Sequence, residues 1–186
     1  MGNQPQNQDR RLKKRFPVKK KEVLILVHPG SACGSANFNL GKTSAASGRD
    51  GLILDLELSA GHVFVIDGEF SDEIENYEKF CAAINDALKR AHDRGDFAER
   101  IMGDDNDDFN QVAAAQTLIK RHGLSTTKHH VLLTGAWFDP DGKHGCVNSV
   151  YEVFSQLGFT VDVMDGALSL DDGFDAECED ESSLKI

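Results

Sequence analysis

Four short apolar runs interrupt an otherwise charged chain: Val23-Leu-Ile-Leu-Val27, His62-Val-Phe-Val-Ile66, His130-Val-Leu-Leu-Thr134 and Thr160-Val-Asp-Val-Met164. Runs of this length predict strands. The first three are continuous rather than alternating, as in parallel strands covered on both faces. Each run leads at once into a Gly-containing turn, at His28-Pro29-Gly30, Asp67-Gly68, Gly135 and Asp165-Gly166.

The intervening segments change period. Residues 72–94 place Ile74, Tyr77, Cys81, Ile84, Leu88 and Ala91 on one helical stripe, with Ser71 as cap and Gly95 as stop. Residues 108–122 put Phe109, Val112, Ala115 and Ile119 on one side, acidic at the start and Lys120-Arg121 at the end, which suits the helix dipole. Residues 146–157 form a third stripe from Val147, Val150, Phe154 and Leu157, closed by Gly158. Residues 51–59 are ambiguous. Leu52, Leu54, Leu56 and Leu58 alternate as in a strand, yet a crossover between parallel strands calls for a helix. Strands alternating with helices predict a three-layer, doubly wound α/β domain with a mostly parallel sheet, and 186 residues suit a single domain.

Charge divides the chain further. The net charge is −11, but eight basic residues lie between Arg10 and Lys21, and residues 171–181 are mostly acidic. Both ends are too poor in apolar residues to offset the entropy of ordering them. Residues 1–21 therefore read as a basic flexible arm, 22–170 as the α/β domain and 171–186 as an acidic flexible tail. Nucleic acid could be engaged only through the basic run from Arg10 to Lys21, by phosphate contacts that an acidic body disfavours. No apolar run reaches the roughly 20 residues that span a bilayer. Cys33, Cys81, Cys146 and Cys178 show no CxxC pair or disulfide spacing, so reduced thiols and a cytoplasmic location are expected.

In a doubly wound sheet, ligands bind beyond the carboxyl ends of the strands, which brings His28, Asp67, Gly135 and Asp165 to one edge. Cys146 opens a predicted helix on that edge, where unsatisfied N–H groups and the helix dipole favour a thiolate, and His144 is two residues away. It is expected to be the most reactive of the four thiols. The opposing reading is a small buried residue, since free cysteine is commonly buried.

Leu132-Leu-Thr-Gly135, His144-Gly-Cys-Val147, Gly158-Phe-Thr-Val-Asp-Val163 and Asp165-Gly-Ala167 together resemble the closing βαβ unit of the isochorismatase-like cysteine hydrolases. The resemblance covers roughly residues 131–168. It implies a small-molecule hydrolase, or a catalytically lapsed relative, with Cys146 at the nucleophile position. The family's Asp at the end of the first strand is replaced by His28 and Pro29, and its Lys has only Arg100 to answer it. Asp67 and His28, by strand-end position, and His144, by proximity, are the substitutes for acid/base work.

Two further readings stand beside this one. A non-catalytic binding or regulatory protein would use the same scaffold and its charged ends to engage a protein or nucleic-acid machine. A P-loop-like nucleotide binder would use Gly34, Gly41, Lys42 and Thr43, with Asp67 on Mg²⁺, although the first glycine of G-x-x-x-x-G-K-[ST] falls on Ala36. Asp104-Asp-Asn-Asp-Asp108 lacks the turn Gly and terminal Glu of a calcium loop. No metal or cofactor is called for, and oligomeric state is not legible.

Overall fold

In the computed structural model of the chain, the described residues are 19–29, 42–67, 77–102, 110–142 and 145–169. The elements run β1 (Lys21–Val27), α1 (Lys42–Leu58), β2 (His62–Asp67), α2 (Tyr77–Asp93), β3 (Ala98–Met102), α3 (Gln111–His122), β4 (His129–Phe138), α4 (Cys146–Gln156), β5 (Thr160–Val163) and β6 (Leu168–Ser169). Five strands pair in parallel in the order β3-β2-β1-β4-β5. The short β6 pairs in parallel with the far end of β4. The three-layer α/β reading holds.

Alternation along the strands sorts the side chains into two cores. Leu24, Leu26, Val63 and Val65 pack with Leu52 and Leu56 of α1 and with Ile84, Ala87 and Ala91 of α2. Val23, Ile25, Val27, Phe64 and Ile66 pack on the other face with Ala115 and Leu118 of α3 and with Val150 and Phe154 of α4. Each fully covered large side chain contributes about 1.5–3 kcal/mol, and the central strand supplies both layers. That is why its run is apolar without alternation.

Residues 51–59 are settled as helix, the end of α1. Leu52 and Leu56 are buried four residues apart while Leu54 and Leu58 are exposed, a helical stripe that imitates strand alternation because all four residues are leucine. One predicted helix begins later than its stripe suggested, α3 at Gln111, while α2 is described from Tyr77 onward and residues 71–76 lie outside the described residues. Asn110 caps α3 by accepting from the amides of Val112 and Ala113. Gly123, at φ +59, closes it.

Two strands were not foreseen. β3 is short, lies at the sheet edge and carries Glu99 and Arg100, so it lacks an apolar run; β6 has two residues. The end of the basic run is also corrected. Lys21 is the first residue of β1, where its amide donates to Lys128 O (2.8 Å), and the Lys20 ammonium donates to Thr160. The first strand therefore takes in Lys21, which the composition change had assigned to the basic run. The rest of the predicted arm, residues 1–18, and the acidic tail lie outside the described residues, as does the 104–108 acidic loop.

Candidate functional site

The sheet order reverses between β1 and β4, because the crossovers through α1 and α2 lie on one face and those through α3 and α4 on the other. At such a switch point the connections diverge and leave a crevice beyond the strand ends. His28 follows β1 on one side of it. The chain leading to Cys146 leaves β4 on the other.

On the β1 side, polar groups line up across neighbouring strands. Asp67, the last residue of β2, is fully buried, and its Oδ2 is paired with the Arg100 guanidinium of β3. Arg100 is itself mostly covered, at 21% exposure. His28 turns out of β1 at φ +46 and donates its backbone N–H to Ile66 O (2.7 Å). Burial lowers the His28 pKa from its ordinary value, and the nearby Asp67 carboxylate opposes that shift. The ring is thus a neutral imidazole beside a buried ion pair. Sequence placed His28 and Asp67 together, and the structure does as well. It adds Arg100 as the partner of Asp67, a role hidden in an unrecognised strand. A guanidinium therefore holds the carboxylate that the nucleotide reading assigned to Mg²⁺.

On the β4 side the backbone is tightly fitted. Gly135 has φ +126, and a Cβ there would lie 2.0 Å from Val27 O, so only glycine lets β4 pass β1 at this point. The Ala136–Trp137 peptide is cis. Asn148, buried in the first turn of α4, accepts from the Asp139 amide (2.8 Å) and donates to Asp139 O (2.9 Å). This bracket ties the end of β4 to the start of α4. Gly145 occupies the cap, where a Cβ would lie 2.4 Å from Trp137 O, and it contributes no side-chain bond to the helix amides.

Cys146 is the first residue of α4, partly buried against the α3–α4 core. Burial raises its thiol pKa above the ordinary value, and a backbone hydrogen bond from Trp137 only partly opposes this. The expectation of a depressed pKa is corrected: desolvation of the thiolate outweighs the helix terminus. Register places Arg100 beside Val65 and hence on the α1–α2 face, with Asp67 on that face by alternation. Cys146 comes from the α3–α4 face. The two halves of the predicted site thus come from opposite layers of the sheet.

His144, Gly34 and Gly41 lie outside the described residues. Lys42 and Thr43 open α1, and their side chains are not among those described. Trp137 and Phe138 are the half-buried end of β4 rather than a loop after it. No group of three or more His, Cys, Asp or Glu side chains that could hold a metal ion occurs among the described residues.

A polar network missed by sequence reasoning adjoins the crevice from the α1 side. Buried Asp55 accepts from the Thr134 hydroxyl of β4 and from the backbone of Gly166. Its pKa is raised chiefly by burial, with the Asp165 carboxylate adding to the shift and both hydrogen bonds opposing it. Asp55 sits inside a leucine-rich segment, so its apolar neighbours concealed it. Compared with protein-family models and with curated proteins, the chain matches none.

Proposed function

We propose that this chain is a small-molecule enzyme of the isochorismatase-like cysteine-hydrolase type, or a catalytically lapsed relative, acting in the crevice between β1 and β4. The observation that supports this reading is the position of Cys146, at the uncapped start of α4 beside the switch point. The first amides of a helix lack intrahelical acceptors. With glycine at the cap, those of α4 can donate to a developing oxyanion when Cys146 Sγ attacks a carbonyl carbon.

The resting thiol is protonated, so attack requires a base. His28 is neutral and has Asp67 beside it to stabilise the imidazolium form, and His144 is the alternative by sequence. Arg100 holds Asp67 in place. The raised thiol pKa favours the lapsed branch unless substrate binding brings base and thiol together.

Trapping decides between the branches. A panel of small amides and activated esters is incubated with the wild-type protein and with Cys146→Ser, and the intact mass is recorded. A thioester adduct on wild type, absent from the variant, establishes the nucleophile. Binding by calorimetry without adduct or turnover places the protein in the lapsed branch, whereas turnover unchanged in Cys146→Ser removes Cys146 from the chemistry.

A second reading, a non-catalytic binding or regulatory protein, is favoured by the same raised thiol pKa and by the closed Asp67–Arg100 pair. Cytoplasmic residence, a protein partner and arm-mediated nucleic-acid binding belong to this reading. No helix among the described residues is long and apolar enough to cross a membrane.

A further inference from the structure

The amino end of the sheet, opposite the crevice, holds a cluster that the proposed chemistry does not use. His62 opens β2 and His129 opens β4; both are buried, with ring centroids 5.6 Å apart. The His62 ring also lies 4.7 Å from Phe97. His62 Nδ1 accepts from the Phe97 amide (3.0 Å), so its acceptor lone pair holds the turn before β3. A nitrogen in that role carries no proton.

A second acceptor stands close by. Asp96 Oδ1 lies 3.5 Å from the same His62 Nδ1, and the Asp96 side chain is only 4% exposed. Asp96 is shared by Lys21, the first residue of β1, and by Arg94, whose Nε donates to Oδ2 (3.1 Å). Lys21 is the most exposed of these groups, at 48%. It is also the point where the basic run joins the sheet.

We propose that this cluster is an acid-operated latch: protonation of His62 Nδ1 exchanges the Phe97 amide for the Asp96 carboxylate and releases Lys21, the root of the basic arm. A protonated Nδ1 can only donate. It repels the Phe97 N–H and attracts the carboxylate half an ångström beyond hydrogen-bond distance. Asp96 then faces three cations, and Lys21 leaves at least cost because its ammonium already reaches water.

Every charged neighbour bears on the threshold. Burial, then Lys21, His129 and His122 disfavour the imidazolium, while Asp96 favours it, and the balance brings the His62 pKa down to about 4. Asp96 stays ionised there, because its bonds from Lys21 and Arg94 outweigh the upward push of burial. His129 faces Lys128 and Lys21, and its Nδ1 lies between the Ser125 amide (3.0 Å) and the Ser125 carbonyl (3.2 Å). It can take a proton with little movement and is not the moving part. His122 is paired with Glu99, which also holds Arg121, at the rim of the cluster.

The test is amide exchange and imidazole ¹⁵N NMR on the full chain, compared at pH 7 and pH 4. Protection of the Phe97 and Lys21 amides should fall on the order of tenfold or more relative to Phe154 in the α3–α4 core, with the same midpoint as protonation of His62 Nδ1. His62→Asn places a non-titrating acceptor where Nδ1 stands and should reduce the pH effect to less than about twofold at both amides. Equal loss of protection in His62→Asn overturns the latch. If that variant fails to fold, the wild-type titration still decides, because a His62 Nδ1 already protonated at pH 7, or separate midpoints for ring and amides, overturns it as well.

Discussion

At the carboxyl end of the sheet a buried carboxylate, Asp67, is paired with Arg100 and lies beside His28. At the amino end a buried carboxylate, Asp96, is paired with Lys21 and Arg94 and lies beside His62. The residue types nearly coincide, yet the surroundings differ. The cation of Asp67 is mostly covered, whereas the ammonium of Lys21 is half exposed. Opposite the crevice, the imidazole is held by a backbone amide that needs its lone pair. A histidine and aspartate at strand ends therefore specify neither a site nor a staple. Solvent access to the cation and the partner of the ring decide.

Removing each carboxylate should separate the two ends most strongly. Asp67→Ala leaves a largely covered guanidinium without its buried partner, and a loss of about 3–5 kcal/mol in urea unfolding is expected. Asp96→Ala leaves cations that can reach water, and a smaller loss of about 1–2 kcal/mol is expected. Equal losses would mean that burial of the cation does not distinguish the two ends.

Acid should also act on His62 and on Asp55 with opposite signs. His62 has a lower pKa in the native state than in the unfolded chain, so the unfolded chain binds the extra proton. Its contribution to stability is complete above about pH 6.5 and is lost as pH falls toward about 4. Asp55 has a raised pKa, so the native state takes up its proton first and gains from acidification. Urea midpoints measured between neutral pH and pH 4 should decline in wild type, decline less in His62→Asn and decline more steeply in Asp55→Asn. A wild-type midpoint that rises with acidification would show that the Asp55 contribution outweighs that of His62.

The smallest effect concerns Cys146. Cys146→Ala should change stability by about 1 kcal/mol or less, since only a partly buried sulfur is removed. Near neutral pH, iodoacetamide should label native Cys146 more slowly than the same thiol in urea, because burial raises its pKa and limits access. Faster native labelling would restore an activated thiolate and strengthen the hydrolase branch over the lapsed one.

Much of the scaffold was legible in the residues alone. The run at 23–27 is apolar at every position, and only a strand with both faces covered accommodates that. The stripes of α2, α3 and α4 were readable because their apolar spacing is 3.6 residues, and Gly95, Gly123 and Gly158 mark helix ends by adopting positive φ. The leucines at 52–58 were not decisive, because identical residues erase the contrast on which periodicity depends. β3 escaped because an edge strand needs little hydrophobicity.

By itself, the sequence determined four of the strands, three of the helices, the parallel sense of the sheet and the edge on which His28, Asp67 and Cys146 lie, because local period and crossover geometry depend on short stretches of chain. Only the tertiary structure decided that Arg100 holds Asp67, that Asn148 brackets the end of β4, that Asp55 is buried against Thr134 and Gly166 and that burial outweighs the helix terminus at Cys146. Each of those outcomes is set by how much water remains around a group and which distant residue replaces it, quantities that arise when separate strands and layers are packed together.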